Sequence, residues 1–144
     1  MAITQTMCTS FKVALLDGEM DFSSNTGQTF KIALFTSAAS LDATTLAYAV
    51  TNEASGTGYT AGGETLTVAT NSTSTDTTAY ITFATASWAN SSITARGALI
   101  YRSSGTGNNA IAVLDFGADK TTLNNTFTVT FPVADKNTAI IRIA

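Results

Sequence analysis

Two pairs of carboxylates are the nearest approach to a catalytic constellation in this sequence. Glu53 and Glu64 flank the glycine-rich stretch 55–63, and Asp115 and Asp119 stand four residues apart. Two carboxylates facing one bond could serve as general acid and base, or as acid and nucleophile. Acidic residues beside glycines in polar stretches more often bond to the local backbone and cap turns, which is the preferred reading of all four. The chain has no histidine. A Ser-His-Asp or Cys-His relay is therefore excluded within it, as is a histidine metal site. Cys8 is the sole cysteine, so neither an internal disulfide nor a multi-cysteine zinc site can form. Its neighbours are apolar, and it reads as a small buried hydrophobe. The expectation is a chain that is not an enzyme, with no catalytic, cofactor-binding or metal-binding residues.

Shorter motifs add little chemistry. Asp17-Gly-Glu-Met-Asp21 resembles a fragment of a calcium loop but lacks the later glycine and terminal glutamate of an EF-hand. Asp115-Phe-Gly117 spells the kinase magnesium tripeptide without the catalytic-loop or strand-lysine motifs that give it meaning. The glycines between Gly56 and Gly62 have the wrong spacing for a dinucleotide fingerprint. Asn71, Asn90 and Asn124 begin glycosylation sequons that a Ser/Thr-rich chain produces by chance. Trp88 and the four tyrosines could build a sugar platform, although lone aromatics on a half-buried sheet more often pack in the core.

The elements that must carry these residues read as strands. From Thr29 the apolar pattern has a period of two. Strands are expected over 29–37, 47–50, 64–69, 79–84, 93–101, 110–116, 126–131 and 138–144, separated by turns rich in Gly, Asn and Ser. Phe35 breaks the alternation, which predicts burial on both faces near that strand's end. The stretch 36–63 is polar and weakly patterned and reads as an exposed excursion. Pro132 follows a strand end, where a missing N–H does little harm. One helix is expected, over about residues 5–17. Met7, Cys8, Phe11 and Leu15 form its buried face, Thr4 or Thr6 its cap, and Gly18 its stop. The fold class is all-β: an antiparallel β-sandwich, jelly-roll or immunoglobulin-like, with one short N-terminal helix, in a single domain over 1–144.

Composition narrows the partners. Only 12% of the 144 residues are charged and the net charge is −3, against roughly 25% charged in a typical soluble domain. The seven cations are dispersed, which offers no concentrated field for nucleic acid. No stretch approaches the ~20 apolar residues of a membrane span, and the N-terminus has no signal-peptide pattern. A neutral surface of Thr, Ser and Asn suits a subunit that buries much of its outside against neighbours. Exposed strand edges would let a neighbour or an incoming arm add to a sheet.

The order Trp88, Ile93-Thr-Ala-Arg-Gly-Ala-Leu-Ile-Tyr101, Ala110-Ile-Ala-Val-Leu-Asp-Phe-Gly117, Phe127-Thr-Val-Thr-Phe131 and Ala139-Ile-Ile-Arg-Ile-Ala144 resembles a group of small virion structural proteins of tailed bacteriophages. Met7-Cys-Thr-Ser-Phe-Lys12 and Thr29-Phe-Lys-Ile-Ala-Leu34 are similar to the same group. The resemblance implies a capsid decoration, or cement, protein on the virion surface, made in the host cytoplasm. Its partners would be the major capsid protein and copies of itself, as a homotrimer on threefold positions. The competing expectation is a carbohydrate- or receptor-binding module of a tail or head fibre. No catalytic residue carries over from the group.

Overall fold

The computed structural model describes residues 2–23, 28–104 and 107–144, and all their side chains except those of 70–73. In chain order the elements are β1 (Thr6–Met7), α1 (Thr9–Leu16), β2 (Phe30–Phe35), β3 (Glu64–Leu66), β4 (Val68–Thr75), β5 (Thr78–Phe83), β6 (Ala86–Ser91), β7 (Thr94–Arg102), β8 (Ala110–Thr121), β9 (Asn125–Val129) and β10 (Ile141–Ile143). The fold is all-β and sandwich-like, built from antiparallel pairs with one short helix.

The unbroken apolar runs of the sequence lie in the first sheet, ordered β1-β8-β7-β2-β3. Strands covered on both faces read as continuous hydrophobic runs, because both side-chain sets are buried. The register places Ile32, Ile100 and Ala112 side by side, and Ala33, Leu99 and Val113 in the next row. The first row faces the main core with Phe11, Phe83, Trp88 and Phe127. The second row faces a smaller core with Ile3, Cys8, Phe35, Ala39, Leu41 and Tyr101. Phe35 is therefore buried in the layer opposite Leu34, as its break in the alternation predicts.

The second sheet comprises two ladders, β10-β5-β4 and β6-β9. The run 78–91 forms β5 and β6, with Ala84–Thr85 between them. The run 64–75 pairs with β2 through β3 and then turns onto β5 through β4, so it passes from one sheet to the other near Thr67. Such corner strands join the two layers of a sandwich. The pairing sense shows that β9 and β10 are successive segments of one edge. Residues 125 to 129 run down 91 to 86, and 141 to 143 continue down 81 to 79. Residues 130–140 leave this edge and are held by Thr82 Oγ1 donating to Pro132 O at 3.3 Å.

Several boundaries differ from the expectation for physical reasons. The helix starts at Thr9, not near residue 5. Thr6 and Met7 instead pair with Val113 and Ala112, and the Cys8 N–H donates to Ile111 O at 2.8 Å. Strand pairing along β8 thus overrides the helical spacing. The four residues expected on one helical face are split: Phe11 is buried on α1, together with Ala14, while Met7 lies on β1, Leu15 is half-buried, and Cys8 enters the smaller core. Neither Thr4 nor Thr6 caps the helix, because Cys8 occupies the cap position without a side-chain bond. Gly18 does end it: at φ +72 it lets the Glu19 N–H reach Ala14 O at 2.8 Å. Residues 47–50 form no strand; Ala47 makes a single bridge to Asn109. The C-terminal strand is limited to β10, since residues 135–138 form a turn around Asp135 Oδ1. Trp88 lies on β6, a strand that the alternation pattern did not suggest.

Candidate functional site

The stretch 36–63 is not a free excursion. It folds back over the outer face of the first sheet and is fastened by Glu53. The Glu53 carboxylate accepts from Tyr48 Oη at 2.6 Å, from Tyr59 Oη at 2.6 Å and from the Gly62 N–H at 2.8 Å. Tyr59 Oη also accepts from the Leu34 N–H, and Tyr101 Oη donates to Gly62 O, both at 2.8 Å. Tyr48 and Tyr101 stack with centroids 4.6 Å apart. Burial, followed by the hydrogen bond to Glu53, pushes both the Tyr48 and Tyr59 hydroxyls well above the usual tyrosine range. Gly63 has φ +72, and a β-carbon there would lie 1.8 Å from Ile32 O, so only glycine lets the chain approach β2 this closely. This cluster is a clasp. Its one carboxylate already accepts three hydrogen bonds, and Glu64, the other member of the carboxylate pair, is exposed on β3.

The other carboxylate pair sits on a bulge. The register between β7 and β8 moves from Ala95↔Lys120 to Gly97↔Asp115, so β8 has three more residues than β7 across this interval. Asp115 Oδ1 accepts from the Gly117 N–H at 2.9 Å and from Arg96 Nε at 3.1 Å. These bonds, the Gly117 one foremost, hold the Asp115 carboxyl below its usual range. Asp115-Phe-Gly117 is thus an Asx turn in which glycine supplies φ +77. Asp119 is exposed on the same bulge.

The remaining candidates are accounted for individually. Asp21 Oδ1 accepts from the Ser23 N–H at 2.8 Å, and the following residues 24–27 lie outside the described residues. No group of three or more acids or cysteines able to hold a metal occurs among the described residues. Asn90 has a left-handed backbone within β6 where its register with β9 shifts, Asn124 has one in the turn before β9, and the side chain of Asn71 lies outside the described residues. Trp88 is 2% exposed, between Tyr59 and Phe127. It forms part of the core and offers no face to a sugar. Cys8 is also buried, and burial pushes its thiol up to about 11.

The feature that could receive a partner is a groove along the open side of the sandwich. It runs between the bulged end of β8 and the outer edge of β9. Its cavity of about 520 Å³ has Leu114, Phe116, Phe127, Val129, Phe131 and Ile140 among its lining residues. A second cavity of about 490 Å³ continues it beside β1 and β10, and Gln5, Leu114 and Ile140 line both. The bulge helps to shape this space: Phe116 is half-buried in the groove, 6.2 Å from the Phe127 ring. From Thr126 to Thr130 the side chains alternate. Phe127 and Val129 are buried, while Thr126, Thr128 and Thr130 are exposed. Sequence reasoning found the neutral, threonine-rich surface but not the groove. Its one local signal was the Asp-x-Gly turn that creates the bulge.

Compared with protein-family models, with curated proteins and with solved structures, the chain matches none.

Proposed function

We propose that this chain is a structural protein of a bacteriophage virion, a capsid decoration subunit that binds the capsid lattice and stabilises the head. The observation that carries the reading is the open side of the sandwich. An uncharged strand edge, a groove with an apolar lining and a threonine face stand together there. Threonine presents a methyl and a hydroxyl, so such a face can be wet or buried at modest cost. A subunit that cements a shell needs many contacts of this kind. The low charge of the whole chain supports the same reading, and the resemblance to small virion proteins supplies the particle, the major capsid protein as partner and a homotrimer as the assembly.

The test uses purified virions of the phage that encodes the chain. A lattice-bound subunit is present on the order of hundreds of copies per particle, because capsid lattices repeat a site many times. Attachment held by apolar burial persists in ~1 M salt, where charges are screened beyond ~3 Å. Washing virions at that salt and quantifying the protein left on the heads should show near-complete retention. Release by salt, or recovery only with separated tails, would refute the proposal.

A further inference from the structure

A sandwich has strand edges that can recruit other chains, and native proteins usually blunt them. In this molecule most edges are blunted. The edge of β8 is covered by β1 at Ala112 and Val113, and the Gln5 side chain accepts from the Asp115 N–H at 3.3 Å. The pairing of β4 with β5 slips between Val68 and Thr70 and again between Thr70 and Thr73. Both β3 and β10 have three residues.

The outer edge of β9 has fewer of these protections: no strand covers it, and its pairing with β6 slips once, between Trp88 and Ser91. It is the free side of a two-stranded ladder, five residues long, with no charge and no proline from Asn125 to Val129. Its register with β6 is regular from Ala86↔Val129 to Trp88↔Phe127. Alternate residues of such an edge turn their N–H and C=O groups outward. Pro132 limits the available edge, since it has no N–H to offer.

The groove beside this edge has a definite chemistry. Apolar side chains and threonines share its lining, and the apolar ones offer pockets for alternate side chains of an added strand. Four charged residues line the two cavities: Asp115, Lys120, Lys136 and Arg142. They include three of the seven cations in a chain with ten carboxylates. Asp115 pairs with Arg96 and Lys136 with Asp76. Lys120 and Arg142 form no ion pair among the described residues, although Arg142 acts on Asp135 at longer range. An anionic chain thus places one unpaired cation, Lys120, in the cavity beside the β9 edge and a second, Arg142, in the cavity that continues it.

We infer that this groove receives an extended, net-acidic peptide segment of a partner protein, which adds to the edge of β9 as a further strand. Backbone hydrogen bonds and apolar side chains hold the segment, and Lys120 and Arg142 select carboxylates at its ends. The inference rests on the reading of the open side as the attachment surface, and it names the chemistry of what attaches. A second copy of this chain is disfavoured as the occupant, because it would bring its own Lys120 and Arg142 to the same place.

The test is a titration of the full-length, isotope-labelled protein, followed by amide NMR. The probes are a blocked heptapeptide, Asp-Thr-Val-Thr-Val-Thr-Asp, and its counterpart with lysine at both ends. The acidic peptide should cause saturable shifts concentrated in 114–121 and 125–130. It should bind about ten-fold more tightly than the basic one at low salt, as expected for two exposed charge pairs. The preference should vanish in ~1 M salt while binding persists. The double variant Lys120→Glu, Arg142→Glu, shown to be folded by its melting transition, should reverse the preference. Saturable binding by neither peptide, shifts centred elsewhere, equal affinity at low salt, or exclusion of peptide by self-association through β9 would each overturn the inference. Failure here with the protein present on capsids would leave the virion role standing. Binding at β9 with the protein absent from virions would refute that role and leave the groove.

Discussion

The first sheet and the second sheet meet in one core, but their outer surfaces are treated differently. The first is covered again on its far side by the N-terminal segment and by 36–63, which Glu53 clasps through two tyrosines and a backbone N–H. The second leaves small and polar side chains exposed, threonines on β9 among them, and its β9 edge pairs with β6 alone. A covered sheet stabilises the chain that contains it. A bare face and an open edge add little to the isolated molecule and acquire value only against a neighbour. The stable scaffold and the attaching surface are thereby assigned to different layers.

If the outer layer of the first sheet is a true core, removing one of its large side chains should be costly. Phe35→Ala should destabilise the protein by roughly 3–5 kcal/mol in urea unfolding, as for other buried aromatics. Phe11→Ala, in the main core, should cost about the same. A Phe35→Ala loss below about 1 kcal/mol would mean that 36–63 is only laid over the sheet and the contrast between the layers is false.

The clasp comes next in size. Glu53→Ala leaves two half-buried tyrosine hydroxyls without their acceptor and should cost about 1–3 kcal/mol. Tyr48→Phe combined with Glu53→Ala should cost less than the sum of the two, since both remove one bond. Additive losses would show that the pair does not act as a unit.

The same layer should respond to alkali. The Cys8 thiol moves from 9.0 in the unfolded chain to about 11 when folded. A raised folded value contributes stability that is complete below pH 9 and disappears as pH climbs through about 11. The tyrosines of the clasp are raised from 10.0 and add a further loss at higher pH. Denaturation midpoints should therefore begin to fall near pH 9, and Cys8→Ala should remove the earliest part of the fall. An identical alkaline profile in wild type and Cys8→Ala would contradict the burial of the thiol.

The smallest effect is expected on the second sheet. Thr128→Val changes an exposed side chain and should shift the stability of the isolated protein by no more than about 0.5 kcal/mol. A larger change would mean that the threonine face is already engaged within one chain.

Much of this division is legible in the sequence. Phe35 reads as the point where β2 becomes buried on both faces because it breaks the alternation of Phe30, Ile32 and Leu34, and Thr126–Thr130 reads as singly buried because apolar and threonine residues alternate. The clasp was not legible, since Glu53 meets Tyr48, Tyr59 and Gly62 only after the chain has folded back on β2. Two tyrosines flanking one glutamate in a polar stretch were the available hint. The helix start was misplaced because Thr6 and Met7 have a partner more than 100 residues away, which no local period reveals. The groove was missed because a strand edge is a property of neighbours, and no residue of β9 shows by itself that one side is unpaired.

Amide hydrogen exchange, measured by mass spectrometry on the free protein and on the same protein attached to heads, tests the central claim most directly. In the free protein, the amides of β2, β7 and residues 110–114 should exchange slowly and those of β9 quickly, because β9 is an edge with one partner. On attachment, protection should rise in 125–130 and in the facing part of β8, with little change in 36–63. Slow exchange of β9 in the free protein, or new protection confined to the 36–63 side, would contradict the account.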